Sequence, residues 1–306
     1  MNREDVERAR GTLTGRLLRT PTLRSTAAGG VWLKAELFQK TGSFKARGAL
    51  NRLASLTDEE RRRGVVTWSA GNHAQAVAWA ATQEGVDCLV EMWETASAFK
   101  IERARGYGAT VDTSSPDPAA AFDRTLEIVE HEGRFFVHPH SDPLVVAGHG
   151  TLALELLEDV PDLEAVVVGV GGGGLIYGCV AAVDGRARVI AVEPERSPAF
   201  SAGLEAGRSV RVGTDTIADG HAPPFAGDLP LELCRGRVET VLVTEDEIAA
   251  GMRFLYARAK LACEPAGAAA LGAVLAGKVE AGPKVAVIVS GGNVEAHKDA
   301  AILEGQ

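Results

Sequence analysis

Short runs rich in Val, Ile, Leu and Ala recur along the chain, at 31–35, 65–69, 88–92, 110–113, 135–137, 165–170, 189–193, 238–243 and 285–290. Several hold apolar residues at consecutive positions, as in Val285-Ala286-Val287-Ile288-Val289. A strand with one wet face alternates apolar and polar residues, whereas a strand covered on both faces has no reason to. Stretches with helical spacing, at 72–83, 119–131, 151–157, 245–262 and 266–276, lie between the runs. This alternation predicts parallel sheets flanked by helices, an α/β fold. The segment 196–233 breaks the rhythm with Gly and Pro and predicts a long surface excursion beside a site.

Composition narrows the function. The 306 residues carry 32 Lys and Arg against 41 Asp and Glu, a net charge of −9, which argues against a nucleic-acid partner. Cys88, Cys179, Cys234 and Cys263 are scattered without metal-ligand spacing. A reducing, cytoplasmic setting is the simplest reading. No apolar run approaches the roughly 18 residues of a membrane span, and the opening MNREDVERARGTL has no apolar signal core.

Three strand ends carry chemistry. The run Val166-Val167-Val168 passes through Gly169 and Val170 into Gly171, Gly172, Gly173, Gly174 and Leu175, and then into a helical pattern. Glycines let backbone N–H groups approach an anion, and a helix N-terminus behind them favours negative charge, so a phosphate fits here. Gly169, Gly171 and Gly174 also match G-x-G-x-x-G, with Glu193 about 20 residues on, the dinucleotide fingerprint that leaves a NAD-binding oxidoreductase open. At the second end, Ser69, Ala70, Gly71, Asn72 and His73 form a sharp turn into a helix, suited to a carboxylate or to plain capping. The third places Ser290 before Gly291 and Gly292 at the carboxyl end of a buried-type strand, where α/β sheets bind ligands.

The segment from Lys34 to Ala49, with Gly42-Ser43-Phe44-Lys45 at its centre, resembles the cofactor-lysine signature of the serine/threonine dehydratase family. Its companions follow in family order: Ser69 to Gln75, Gly171 to Leu175, Glu264-Pro265-Ala266-Gly267-Ala268 and Ser290-Gly291-Gly292-Asn293. The resemblance spans roughly 15–295. It implies a two-lobed enzyme of the tryptophan-synthase-β-like type with pyridoxal phosphate in the cleft, held as a Schiff base on Lys45. Residues 1–55 and 143–306 would form the large lobe and 56–142 a small, mobile one. By the same resemblance Gly171, Gly172, Gly173, Gly174 and Leu175 cradle the phosphate, Asn72 binds the ring 3-hydroxyl, Phe44 packs beside the ring, and Ser290 faces its nitrogen. The substrate carboxylate would sit at Ser69, Ala70, Gly71, Asn72 and His73. The implied reaction is α,β-elimination from a 3-hydroxy amino acid such as threonine or serine, giving a 2-oxo acid and ammonia. The implied assembly is a homodimer or homotetramer.

Departures from the pattern refine the expectation. Ala70 stands where the family's racemases carry a proton-donating serine, which ranks dehydration above racemisation. A dehydratase of the same fold acting on 3-hydroxyaspartate or another 3-hydroxy amino acid stays open beside them, and a NAD oxidoreductase comes last because it leaves Lys45 and Ser290 without a task. Glu193 matches a divalent-cation ligand of metal-activated members, but Ala199 replaces the acid six residues on and Pro198 intervenes. Glu193 is thus a weak metal candidate, and no intact divalent site is expected. His140, beside Pro139 near the expected mouth, is read either as a selector of the substrate side chain or as a surface histidine. No regulatory domain is expected beyond Asn293.

Overall fold

The computed structural model describes residues 1–305. Ten strands form two sheets: β1 (Thr22–Ser25), β2 (Val31–Ala35), β3 (Val65–Trp68), β4 (Cys88–Trp93), β5 (Thr110–Ser115), β6 (Phe135–Phe136), β7 (Ala165–Gly169), β8 (Arg188–Pro194), β9 (Glu239–Val243) and β10 (Val285–Val289). The larger sheet has the order β1-β2-β10-β7-β8-β9 and the smaller β5-β4-β3-β6. Every pairing is parallel except β1 with β2. Each predicted run is a strand, displaced by a residue or two at its ends. The strands β7 and β10 are buried along their whole length, which is why their apolar residues need not alternate.

The larger sheet has apolar cores on both sides. Val166, Val168, Ile176, Tyr177 and Phe200 lie in one, and Val167, Val192, Leu271 and Val287 in the other. A third core, with Leu50, Val77, Val90 and Met92, covers the smaller sheet. The helix predicted at 151–157 is Pro143–Asp159, opened by the Asp142 side chain, which accepts from Leu144 and Val145 N–H. The pattern predicted at 245–262 is a helix Glu245–Phe254 that widens into a π-turn at Leu255–Ala259. The excursion 196–233 contains no strand but holds two helices, Ala199–Ala206 and Asp228–Cys234. No helix among the described residues is long and apolar enough to cross a membrane.

Parallel topology aligns strand polarity, so the carboxyl ends of β7 and β10 fall on one edge of the larger sheet. Those ends lead into Gly171 and Ser290, and the carboxyl end of β3 leads into Ser69.

Candidate active site

The Lys45 segment is strapped across the end of β10. After β2 the chain makes two short 3-10 turns, Glu36–Phe38 and Lys40–Gly42, with Thr41 in a left-handed conformation (φ 61°). Ser43 forms an isolated bridge to Gly291, Phe44 N–H donates to the Ser290 carbonyl at 3.1 Å, and Gly292 N–H donates to that of Gly42 at 3.0 Å. These bonds fix Lys45 as the first residue of the helix Lys45–Ala54. Its Nζ donates to the Pro139 carbonyl at 2.9 Å and lies 5.2 Å from the Phe44 ring centroid. Burial pushes the ammonium down to about 8. The helix has no acidic residue in its first turn, so its dipole likewise disfavours a cation there.

The glycine loop follows β7 and opens the helix Gly174–Val183. Gly173 adopts φ +92°, and a Cβ there would stand 2.6 Å from Pro230 Cβ and 3.1 Å from Phe200 Cε2. A Cβ on Gly172 would collide with the His140 ring, and one on Gly174 would lie 3.0 Å from His140 Cα. His140 is therefore part-buried against the loop, with Ser141 Oγ 3.2 Å from its Nδ1. Burial, with His138 and Lys45 nearby, holds its ring well below the usual histidine range.

At the third end, Gly71 N–H donates to Ser69 Oγ at 3.1 Å. Ala70 and His73 are buried. The His73 Nε2 lies 3.0 Å from the Val137 carbonyl, and burial together with Lys45 pushes the ring down to about 3. Its Nε2 is thus committed to the extension of β6, while its Nδ1 is buried without a hydrogen-bond partner. Asn72 opens the helix Asn72–Glu84. Its Nδ2 donates to Glu264 Oε1 at 2.6 Å, and its Oδ1 accepts from Asn293 Nδ2 at 2.6 Å.

Glu264 is a site residue that motif reading named only as part of a phrase. It is buried, and desolvation, with Asp219 adding, pushes it up to about 8. Its one legible signal is an acid directly before the Pro265 that opens a helix. Glu193 is not brought to this cluster. It lies on β8, where its carboxylate accepts Phe200 N–H at 2.7 Å and Ser201 N–H at 2.8 Å. Among the described residues no group of three or more His, Cys, Asp or Glu is placed to hold a metal.

The implied cofactor needs an amine, an anion cradle and a partner for its ring nitrogen. Lys45 is an amine with a lowered pKa, and the glycine loop leaves no space for side chains while presenting a helix N-terminus. Ser290 is a buried hydroxyl at the end of β10. Around them Thr41 Oγ1 and Ser43 Oγ are buried without hydrogen-bond partners, donors that a polar ligand could satisfy. The residues present fit pyridoxal phosphate.

The relatives agree with this chemistry. An L-threonine ammonia-lyase of Thermotoga maritima is 45% identical over 302 residues, covering 95% of this chain and 75% of the relative. A phenylserine dehydratase of Ralstonia pickettii is 43% identical over 270 residues, covering 86% and 82%. The structure of maize serine racemase superposes with a TM-score of 0.92 at 32% identity, over 99% of this chain and 97% of that one. The family model described as "Pyridoxal-phosphate dependent enzyme" matches residues 13–291, which include Lys45, the glycine loop and Ser290; the chain belongs to that family.

Proposed function

We propose that this enzyme is an ammonia-lyase that removes water from a small 3-hydroxy amino acid, L-threonine or L-serine, and yields the 2-oxo acid and ammonia. The observation that carries the reading is the state of Lys45: an amine strapped over Ser290, bonded to a neutral carbonyl, with its pKa drawn down to about 8. An amine of that pKa is about one-tenth neutral at pH 7 and half neutral at pH 8, against a few parts in ten thousand for an ordinary lysine at pH 7, which brings general-base chemistry within reach.

The glycine loop, Gly171 to Gly174 with Leu175, would hold the cofactor's phosphate, Asn72 its 3-hydroxyl, Ser290 its ring nitrogen, and Phe44 its flank. When bound, pyridoxal phosphate supplies an electron sink for the pair left at the substrate's α-carbon. The turn carrying Ser69, Ala70, Gly71, Asn72 and His73 would bind the substrate carboxylate at the helix N-terminus it opens, with the Gly71 N–H already given to Ser69 Oγ and the Ser69 N–H to the Glu91 carbonyl. Lys45 Nζ takes the α-proton, and the β-hydroxyl departs with a proton as water, so that one water is lost; the free enamine then tautomerises to an imine, whose C–N bond a second water hydrolyses to give the 2-oxo acid and ammonia. Closure of a lobe 56–142 on a lobe made of 1–55 and 143–306 would exclude solvent during these steps. The buried, free cysteines support a cytoplasmic setting, and family resemblance supports a homodimer or a pair of dimers.

The test is Lys45→Ala. Release of 2-oxo acid and ammonia from L-threonine should fall at least about a thousandfold, and the borohydride-sensitive visible band should vanish. Retention of both overturns the assignment. Ala70, which offers a methyl where a proton donor would be needed, places racemisation second. Ala70→Ser should raise α-proton exchange and D-isomer formation from L-serine above the wild-type level, checked by proton NMR in deuterated water and chiral chromatography.

A further inference from the structure

Helix Ala199–Ala206 begins with Pro198 at its N-cap, a residue with no side-chain acceptor. The first-turn amides of a helix lack intrahelical partners and need one from elsewhere. Here the partner is Glu193, fully buried near the end of β8. Its Oε1 accepts Phe200 N–H at 2.7 Å, and its Oε2 accepts both Ser201 N–H at 2.8 Å and the Ser201 hydroxyl. Burial pushes the acid up to about 7 against the bonds from Ser201 and Phe200, and in its ionised form it also complements the helix dipole.

The capped helix delivers Phe200 to the glycine loop. Phe200 is fully buried, and its ring backs Gly173, where a Cβ would come within 3.1 Å of Cε2 and 3.2 Å of Cδ2. The base of the same loop is tied to the residue preceding Glu193 in sequence, since Val170 N–H donates to the Val192 carbonyl at 2.8 Å. We propose that Glu193 is a positioning residue for the cofactor's phosphate loop, acting through the cap it places on helix Ala199–Ala206 and the Phe200 wall behind Gly173, with no divalent cation involved.

A hard cation takes six to eight oxygens. Both oxygens of Glu193 already serve three donors, residue 199 is an alanine, and the Ser197 hydroxyl is the one buried group in this turn without a partner. The corner is built as a cap and does not fit a cation. The proposal rests on the glycine loop being the phosphate cradle.

The experiment measures cofactor affinity by the visible band, the phosphorus-31 resonance of the bound phosphate in the holoenzyme, and thermal stability. Glu193→Gln turns one acceptor into an amide that repels a helix N–H; it should weaken cofactor binding by about tenfold and shift the phosphorus resonance. Ser201→Ala, which removes one donor of three, should weaken binding by about two- to threefold and serves if Glu193→Gln fails to fold. Met92→Ala in the core of the smaller sheet is a destabilised control that should leave cofactor affinity and the phosphorus signal in place. Wild-type stability and affinity should be unchanged by chelator and by added magnesium, calcium or manganese. Cation-dependent stabilisation that Glu193→Gln abolishes overturns the proposal, as does a loss of affinity no greater than the Met92→Ala control shows. Gly172→Ala separates the two levels: if it leaves the cofactor tightly bound, the cradle reading itself fails, whereas a loose Gly172→Ala beside a tight Glu193→Gln and a tight Ser201→Ala sinks the positioning role alone.

Discussion

Two buried acids, one beside the larger sheet and one within the smaller, meet the cost of desolvation in opposite ways. Glu36, just after β2, is fully buried and lies against Arg47, whose Nε and Nη2 donate to it at 2.8 Å each. Arg47 spends its other donors on Glu155 and Thr151, and Lys34 Nζ, also fully buried, sits 2.6 Å from Glu155. Burial alone would raise Glu36, but the Arg47 charge and bonds outweigh it and hold the carboxyl below its ordinary range. Glu91, in the middle of β4, is equally buried, yet neither of its oxygens has a hydrogen-bond partner. Desolvation, with Asp112 adding, pushes it up to about 7. The strap that presents Lys45 is thus anchored on paired charges, while the smaller sheet accommodates its acid by letting it keep a proton. Pairing fixes geometry through directed bonds; protonation merely removes the charge.

The largest break in this comparison is Arg47→Leu. It strands Glu36 as a buried charge and should cost about 3–5 kcal/mol, read as a drop in the urea midpoint. A loss under about 1 kcal/mol would mean that the cluster is not a desolvated pair. Next comes the pH dependence of Glu91. Its folded pKa lies above its unfolded value, so the folded state holds a proton that the unfolded chain releases. Its contribution is fully present below about 4.5, is lost as pH rises to about 7, and is constant beyond. The total is up to roughly 3 kcal/mol. Glu36 has the opposite sign: its contribution is present above about 4.5 and is lost as pH falls through its lowered folded pKa. In urea titrations, Glu91→Gln should therefore gain on the wild type between pH 5 and 7 and leave the acid limb untouched. Parallel wild-type and variant curves would remove the contrast.

These clusters also show what a sequence makes legible. The buried parallel strands announced themselves because full burial removes alternation. Thr22–Ser25 did not: as the antiparallel edge strand, with exposed Leu23 and Arg24, it has the composition of a loop. The helix Pro143–Asp159 was visible only from Thr151 because Gly148 and Gly150 look like breakers. They are contact points instead, where a Cβ would stand 2.5 Å from the Arg47 and Gly178 carbonyls. Motif order named Lys45, the glycine loop, Asn72 and Ser290. It was silent on Glu193 as a helix cap and on Glu264 as Asn72's partner, because both relations join side chains to groups that only the folded chain brings within reach.

Glu264 decides which remedy the site itself uses, and its expected effect is the smallest. It accepts from Asn72, which in turn accepts from Asn293, and Asn293 also donates to the Thr41 carbonyl at 2.6 Å. This chain of bonds joins the helix that follows β3 to the Lys45 strap and to the end of β10. With a pKa raised to about 8, Glu264 is mostly neutral at pH 7 and works as an acceptor, in the manner of Glu91 more than of Glu36. Glu264→Gln keeps an acceptor oxygen and no charge, so cofactor affinity at pH 7 should change by less than about threefold. Glu264→Ala leaves the Asn72 amide unpaired and should cost about tenfold. Above pH 8 the wild type gains a buried charge that the Gln variant cannot, so its cofactor affinity should fall relative to the variant's as pH rises, the titration of Lys45 near 8 being common to both. Should Gln instead match Ala at pH 7, the acid beside Asn72 is ionised there, and the site belongs with Glu36 among the regions that hold buried charge in place by pairing.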